Sequence, residues 1–100
     1  MKENTGWTPL HYAAYWGHYE AFQVIFDTIE DKNPMNEKCP MSPLHLAIQR
    51  GYFEICKLII DKLEDKNPSI MGRPGWTALR MAKSHRRKQI EDYIKSEIEK

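Results

Sequence analysis

Four histidines, two cysteines, recurring acidic pairs and one basic run are the residues in this 100-residue chain with the means to do chemistry. His11 and His45 come first, because two imidazoles at matched positions could serve as a metal pair. Each also lies three residues after a hydroxyl, Thr8 or Ser42. At that spacing the ring can close a local hydrogen-bond box at a helix cap and turn its other nitrogen to a loop carbonyl. The two histidines are 34 residues apart within matching surroundings, so the box accounts for both without a metal. His18 and His85 have no cysteine or carboxylate at ligand spacing. Glu30-Asp31 and Glu64-Asp65 recur as well. A catalytic carboxylate pair has no reason to repeat, so these read as solvated helix ends. Ser42 and Ser84 fall at a cap and within a helix, and the pattern positions no base beside them. No phosphate-binding loop, nucleophile elbow or zinc-protease string occurs.

Cys39 falls in a loop and Cys56 on the apolar face of a helix. That pairing is not a disulfide framework, and free thiols fit the cytosol or nucleus. Cys56 reads as a small core hydrophobe, while Cys39-Pro40 is too short to support a redox or haem-responsive reading. His85-Arg86-Arg87-Lys88 is the one basic cluster. It reads as a solvated helix junction near Glu91 and Asp92, against nuclear import or phosphate binding as the alternative. With a formal net charge of +1, the chain has no global field to attract nucleic acid or an acidic membrane. Hydrophobic residues make up 41% of it, enough for one core of modest margin. No apolar run approaches a bilayer span and no leader is visible. A free-standing enzyme and a cofactor are not expected.

The elements that position these residues follow from a repeat. Thr8-Pro9-Leu10-His11-Tyr12-Ala13-Ala14 returns as Ser42-Pro43-Leu44-His45-Leu46-Ala47-Ile48, then in worn form as Thr77-Ala78-Leu79-Arg80-Met81-Ala82-Lys83. A period in the thirties marks a solenoid. Thr8 and Ser42 are N-caps, with Pro9 and Pro43 at the first helical position. Leu10, Ala13 and Ala14 make an apolar stripe, and Gly17 and Gly51 are left-handed stops. First helices are expected over about Pro9 to Trp16 and its equivalents, and second helices from about Tyr19 to Ile29 and from about Arg87 onward. Ile29 and Leu63 continue the apolar period, which predicts a second helix one turn longer, broken by Asn33-Pro34 and Asn67-Pro68. The stretches 33–41 and 67–76 hold extra residues and most of the prolines, so they should protrude as hairpin-like fingers. In the second repeat Phe53, Cys56, Leu58, Ile59 and Leu63 spread too widely for one face, as in the inner part of a stack. Neither helix is long enough to persist alone, so each repeat must lean on its neighbours.

Thr-Pro-Leu-His-x-Ala, then glycine, then an apolar helical run, resembles the ankyrin repeat, and the resemblance covers nearly the whole chain. It implies an all-α ankyrin-repeat solenoid of helix-turn-helix pairs joined by finger loops. The expected repeats are about 4–37 and 38–72, with a capping repeat at about 73–100. The last repeat departs from the pattern: Arg86 replaces the glycine, while Ile90, Tyr93, Ile94 and Ile98 stripe a helix whose other face is charged, as a terminal unit requires. The family usually ends its second helix with glycine, where this chain has Ile29 and Leu63. Asn33 and Asn67 are similar to the finger asparagine that hydroxylases modify in some members, though proline follows each here.

The resemblance further implies an intracellular scaffold, cytoplasmic or nuclear, that binds a protein partner on its concave face without catalysis. The positions carried over are Trp7, Met41 and Trp76 before the caps; Tyr15, Trp16, Gln49, Arg50, Ser84 and His85 at the ends of the first helices; and the fingertips Asn4, Thr5, Lys38, Cys39, Arg73 and Pro74. Eight of these, Trp7, Tyr15, Trp16, Met41, Gln49, Arg50, Trp76 and His85, form the candidate partner-binding set. Trp7 and Trp76 could instead pack along their own fingers. Tyr12, Tyr15, Trp16, Tyr19, Phe22 and Phe26 are a heavy aromatic load for a first repeat. Either a longer array continues there, or some rings touch a partner or a second copy in weak self-association. A regulatory segment of a larger enzyme or channel is the alternative function.

Overall fold

Every first helix begins at a hydroxyl. Thr8, Ser42 and Thr77 stand in extended backbone, and their side chains accept the N–H of His11, His45 and Arg80. That satisfies one of the donors a helix start leaves bare. In the computed structural model, which describes residues 7–30, 32–35, 38 and 41–100, the caps open α1 (Pro9–Trp16), α3 (Pro43–Arg50) and α5 (Ala78–Ser84). α1 and α3 stop at Gly17 and Gly51, with φ of 72° and 82°. In the third repeat Arg86 takes the same left-handed conformation, at φ 58°. The next amide then reaches back in all three repeats: His18 to the Ala13 carbonyl, Tyr52 to Ala47 and Arg87 to Ala82. The tight reversal launches the second helices α2 (Tyr19–Thr28), α4 (Phe53–Lys62) and α6 (Lys88–Glu99).

The ends of α2 and α4 differ from the expectation. Ile29 and Leu63 do not extend the helices; they are C-cap residues in extended backbone, with ψ of 155° and 144°. The carbonyls left open there are met by side chains from farther on. The Lys32 ammonium donates to the Phe26 carbonyl, and Lys66 Nζ donates to the Ile60 carbonyl at 2.8 Å. A cation at a helix C-terminus also opposes the negative end of the helix dipole. The lysine of the recurring Lys-Asn-Pro run therefore does the work a terminal glycine would do. Ile29 and Leu63 turn inward against the core instead.

The three helix pairs stack in two layers. α1, α3 and α5 touch in sequence, and α2, α4 and α6 form the second layer behind them. The core lies between: Leu10, Ala14, Phe22 and Phe26 from the first pair, Leu44, Ile48, Ile55 and Ile59 from the second, Ala78, Met81, Ile90 and Ile94 from the third. α4 is packed on both flanks, which is why its apolar residues are so widely spread. The second finger forms a two-stranded antiparallel hairpin, β1 (Ser69–Ile70) with β2 (Arg73–Thr77), irregular after Ser69, and it turns through Gly72 at φ 78°. This sheet is a minor part of an otherwise all-α repeat fold. The half-finger expected before Trp7 lies outside the described residues, as do Asn4, Thr5 and Cys39. On α6, Ile90 and Ile94 are buried and Tyr93 packs against Phe53, with ring centroids 5.8 Å apart. Ile98, expected on the same buried stripe, is 46% exposed. Its counterpart one repeat earlier is Leu63, where α4 has already ended, so the last turn of α6 overhangs its neighbour. No helix among the described residues is long and apolar enough to cross a membrane.

The left-handed arginine gives a stability prediction. Arg86→Gly relieves the Cβ strain of that conformation at an exposed site, and should stabilise the chain by roughly 0.5–1 kcal/mol after glycine's extra chain entropy is subtracted. Thermal unfolding checks it: the midpoint should rise by roughly 4 °C.

Candidate functional site

His11 and His45 are fully buried and use both ring nitrogens. For His11, Nδ1 accepts the Thr8 N–H at 3.0 Å, and the opposite nitrogen lies 3.0 Å from the Met41 carbonyl. For His45, Nδ1 accepts the Ser42 N–H at 3.3 Å, and Nε2 lies 3.1 Å from the Pro68 carbonyl. A carbonyl can only accept, so Nε2 carries the proton in both rings. The histidines thus fasten each helix cap to the finger that leads into the next repeat. Burial pushes the His11 pKa down, with the Met41 and Pro34 carbonyls opposing. Burial likewise lowers that of His45 to about 4, with the Pro68 carbonyl opposing. The fingers are fastened a second way. Asn33 Oδ1 accepts the Leu44 N–H at 3.2 Å, and Asn67 Oδ1 accepts the Leu79 N–H at 2.7 Å. Both asparagine carboxamides are therefore occupied in joining repeats. Cys56 is a buried free thiol whose pKa burial pushes up, as expected for a core residue.

The candidate binding residues divide into groups. Trp7, Tyr15, Trp16 and Arg50 come together. The Trp7 ring lies 6.0 Å from His11 in a stacked arrangement, and meets Tyr12 and Tyr15 edge-on at 5.0 and 5.3 Å. Tyr15 meets Trp16 at 90° and 5.0 Å. From the next repeat, the Arg50 guanidinium lies over the Tyr15 ring at 4.6 Å, a cation–π arrangement across the seam. Trp16 remains 57% exposed, although its ring is held by a neighbour. Such a surface is rigid, aromatic and charged at its edge, the composition enriched in binding hot spots.

The other four stand apart from that cluster. Trp76 is half-buried on the hairpin and carries Arg80 over its ring at 4.4 Å. Met41 is half-buried against the core and gives its carbonyl to His11. Gln49 is half-buried, and its carbonyl accepts Arg87 Nη2 at 2.7 Å. His85 Nδ1 donates to the Met81 carbonyl of its own helix at 3.1 Å. Among the fingertips, Lys38, Arg73 and Pro74 are exposed.

Tyr12 and Arg80 were not in the candidate set, yet each packs on a ring that was. Tyr12 carries a legible signal: it is the one aromatic at a position that Leu46 and Met81 fill in the other repeats. Arg80 has none, because its partner is known only once the hairpin brings Trp76 alongside. Among the described residues, no three histidine, cysteine or acidic side chains gather as a metal site would need.

Two stacked layers of capped helix pairs, tied through their fingers, define a helical-repeat scaffold. The family model for ankyrin repeats (3 copies) matches residues 28–99, and that for ankyrin repeats (many copies) matches residues 1–26. The chain belongs to the ankyrin-repeat family, whose members are interaction modules and typically lack catalysis. It is similar to mouse protein phosphatase 1 regulatory subunit 12A, with 43% identity over 37 residues, which is 37% of this chain and 4% of that protein. The rat protein of the same name gives the same values. The similarity thus spans only a small part of those relatives.

The buried imidazoles predict an acid sensitivity. The folded state holds His45 neutral down to about pH 4, whereas the unfolded chain takes up the proton near 6.5. Stability is therefore complete above about pH 6.5, falls as the pH drops towards 4, and levels off below. The His45 share is roughly 3 kcal/mol. Denaturant titrations from pH 7 to 4 check it: a His45→Asn variant, less stable at neutral pH, should lose correspondingly less on acidification.

Proposed function

We propose that this chain is a non-catalytic protein-interaction scaffold that grips a partner protein on the first-helix layer and fingers. Trp7, Tyr15, Trp16 and Arg50 form the centre of the grip, with Met41, Gln49, Trp76 and His85 extending it along the stack. The observation that carries this reading is the ring-and-guanidinium seam between the first two repeats, where Trp16 stays 57% exposed while Tyr15 and Arg50 hold each other in place. A preorganised aromatic surface loses little side-chain freedom on binding. The first two repeats supply most of the docking side chains, and the third, about 73–100, adds Trp76 and His85.

Trp16 and Arg50 contribute little to the core, so they separate binding from folding. In a pull-down from matched lysate, Trp16→Ala and Arg50→Ala should each weaken capture of the parent's partner at least tenfold, about 1.4 kcal/mol or more. Their thermal midpoints should stay within roughly 2 °C of the parent. A partner held equally by parent and both variants would remove the grip from this surface.

A second reading is supported by the similarity to a phosphatase regulatory subunit. In it the chain is the regulatory segment of a larger assembly whose activity resides elsewhere. Titrating the catalytic subunit of protein phosphatase 1 onto the chain tests one form of it. Saturable binding at micromolar concentration or below supports that form, and no binding removes it.

A further inference from the structure

The second and third repeats each have a predecessor in the described structure, and the first does not. Positions that are exposed in the first repeat and covered in the others therefore mark what a preceding unit hides. On the first helix these are Pro9 and Tyr12, the latter 48% exposed. Their counterparts Pro43 and Leu46, then Ala78 and Met81, are buried. On the second helix they are Ala21, exposed, and Val24, 66% exposed. The counterparts Ile55 and Ile90 are buried, and Leu58 and Tyr93 are half-buried against the core.

Two more devices point the same way. The residue after each left-handed turn covers the glycine of the repeat before it. A Cβ on Gly17 would come 2.7 Å from the Tyr52 ring, and one on Gly51 would come 3.0 Å from the Arg87 guanidinium. Arg87 also donates to the carbonyls of Ile48 and Gln49, at the end of the previous first helix. The equivalent residue in the first repeat is His18, which is exposed and has no such glycine among the described residues. Likewise Leu44 and Leu79 give their N–H groups to the asparagine of the preceding finger. No asparagine among the described residues reaches the equivalent N–H of Leu10. Beside it, Leu10, Ile25, Ile29 and Pro34 line an apolar groove of about 240 Å³.

We infer that this flank of the first repeat is a stacking face, and that its occupant is a further helix–glycine–helix unit of the same kind, set one repeat ahead in the same register. The unit would present large apolar residues where Phe22 and Phe26 stand, an asparagine where Asn33 stands, and a glycine for His18 to cover. A second copy of the chain does not supply that surface head to tail. Its opposite end carries Glu91 and Lys95 where the second repeat has Cys56 and Ile60, and those two charges are paired with each other at 3.2 Å.

A fusion tests this inference independently of where a partner binds. One idealised repeat bearing those three features is joined in register ahead of Trp7, and the full chain is unfolded thermally with and without it. Stacking gives one cooperative transition, with the midpoint raised by at least roughly 5 °C. The double variant Ala21→Glu with Val24→Lys changes only exposed side chains outside the ring cluster. It should leave the unfused chain's midpoint within roughly 2 °C of the parent, and abolish the gain in the fusion. Two separate transitions, no rise, or a rise that survives the double variant each overturns the inference. A concentration-dependent dimer of the unfused chain, lost in the double variant, overturns the choice of occupant in favour of a second copy.

Discussion

One imidazole geometry governs the spacing of the whole stack. In His11 and His45 the inner nitrogen accepts from the helix cap, while the outer N–H donates to a carbonyl on the finger that follows. The first bond is local and sets the ring's orientation. The second spans 30 residues in one case and 23 in the other, so it transmits that orientation across a repeat. Burial strengthens both by excluding water, and keeps the ring in the one protonation state that can make them. Thr8, Ser42 and the two prolines prepare the cap, and the finger arrives at a distance the ring dictates. The candidate surface depends on this too, because the fingers tied at Met41 and Pro68 carry Met41 and Trp76 to the first helices.

A second set of polar ties follows the second helix of each of the first two repeats. Lys32 and Lys66 close the carbonyl ends of α2 and α4, and Asn33 and Asn67 catch the amides of the helices that follow. Both pairs come from the same short run, so one stretch ends one helix and anchors the next. Hydrophobic burial supplies most of the driving force for stacking. It is indifferent to small slides of one pair over another, and the asparagines and histidines remove that freedom.

Much of the architecture was legible because its causes are local. A cap three residues before its acceptor, a proline at the first turn and a glycine at the reversal all act within one helical turn, and each stood where it was read. The histidine box was legible for the same reason, and its outer bond followed from the repeat. The ends of α2 and α4 were misread because Ile29 and Leu63 fit the helical period, whereas the lysines that cap those helices act from six residues away. Ile98 was misread because its stripe continues past the end of the helix it should pack on. At the candidate site, Trp7, Tyr15 and Trp16 are near in sequence and were grouped by motif position. The partnerships of Arg50 with Tyr15, Arg80 with Trp76 and Arg87 with the end of α3 were not legible. A long cationic side chain can reach several places, and only the packed backbone decides which.

The position of the Tyr15–Arg50 pair has a mechanical consequence. It straddles the junction between two units that are otherwise held by burial and a few long hydrogen bonds. A guest that holds rings on one side and the guanidinium on the other acts as a suture over that junction. Its residence would stiffen the coil locally and raise the force needed to peel one unit from the next, so occupancy and elasticity would be read from the same two side chains.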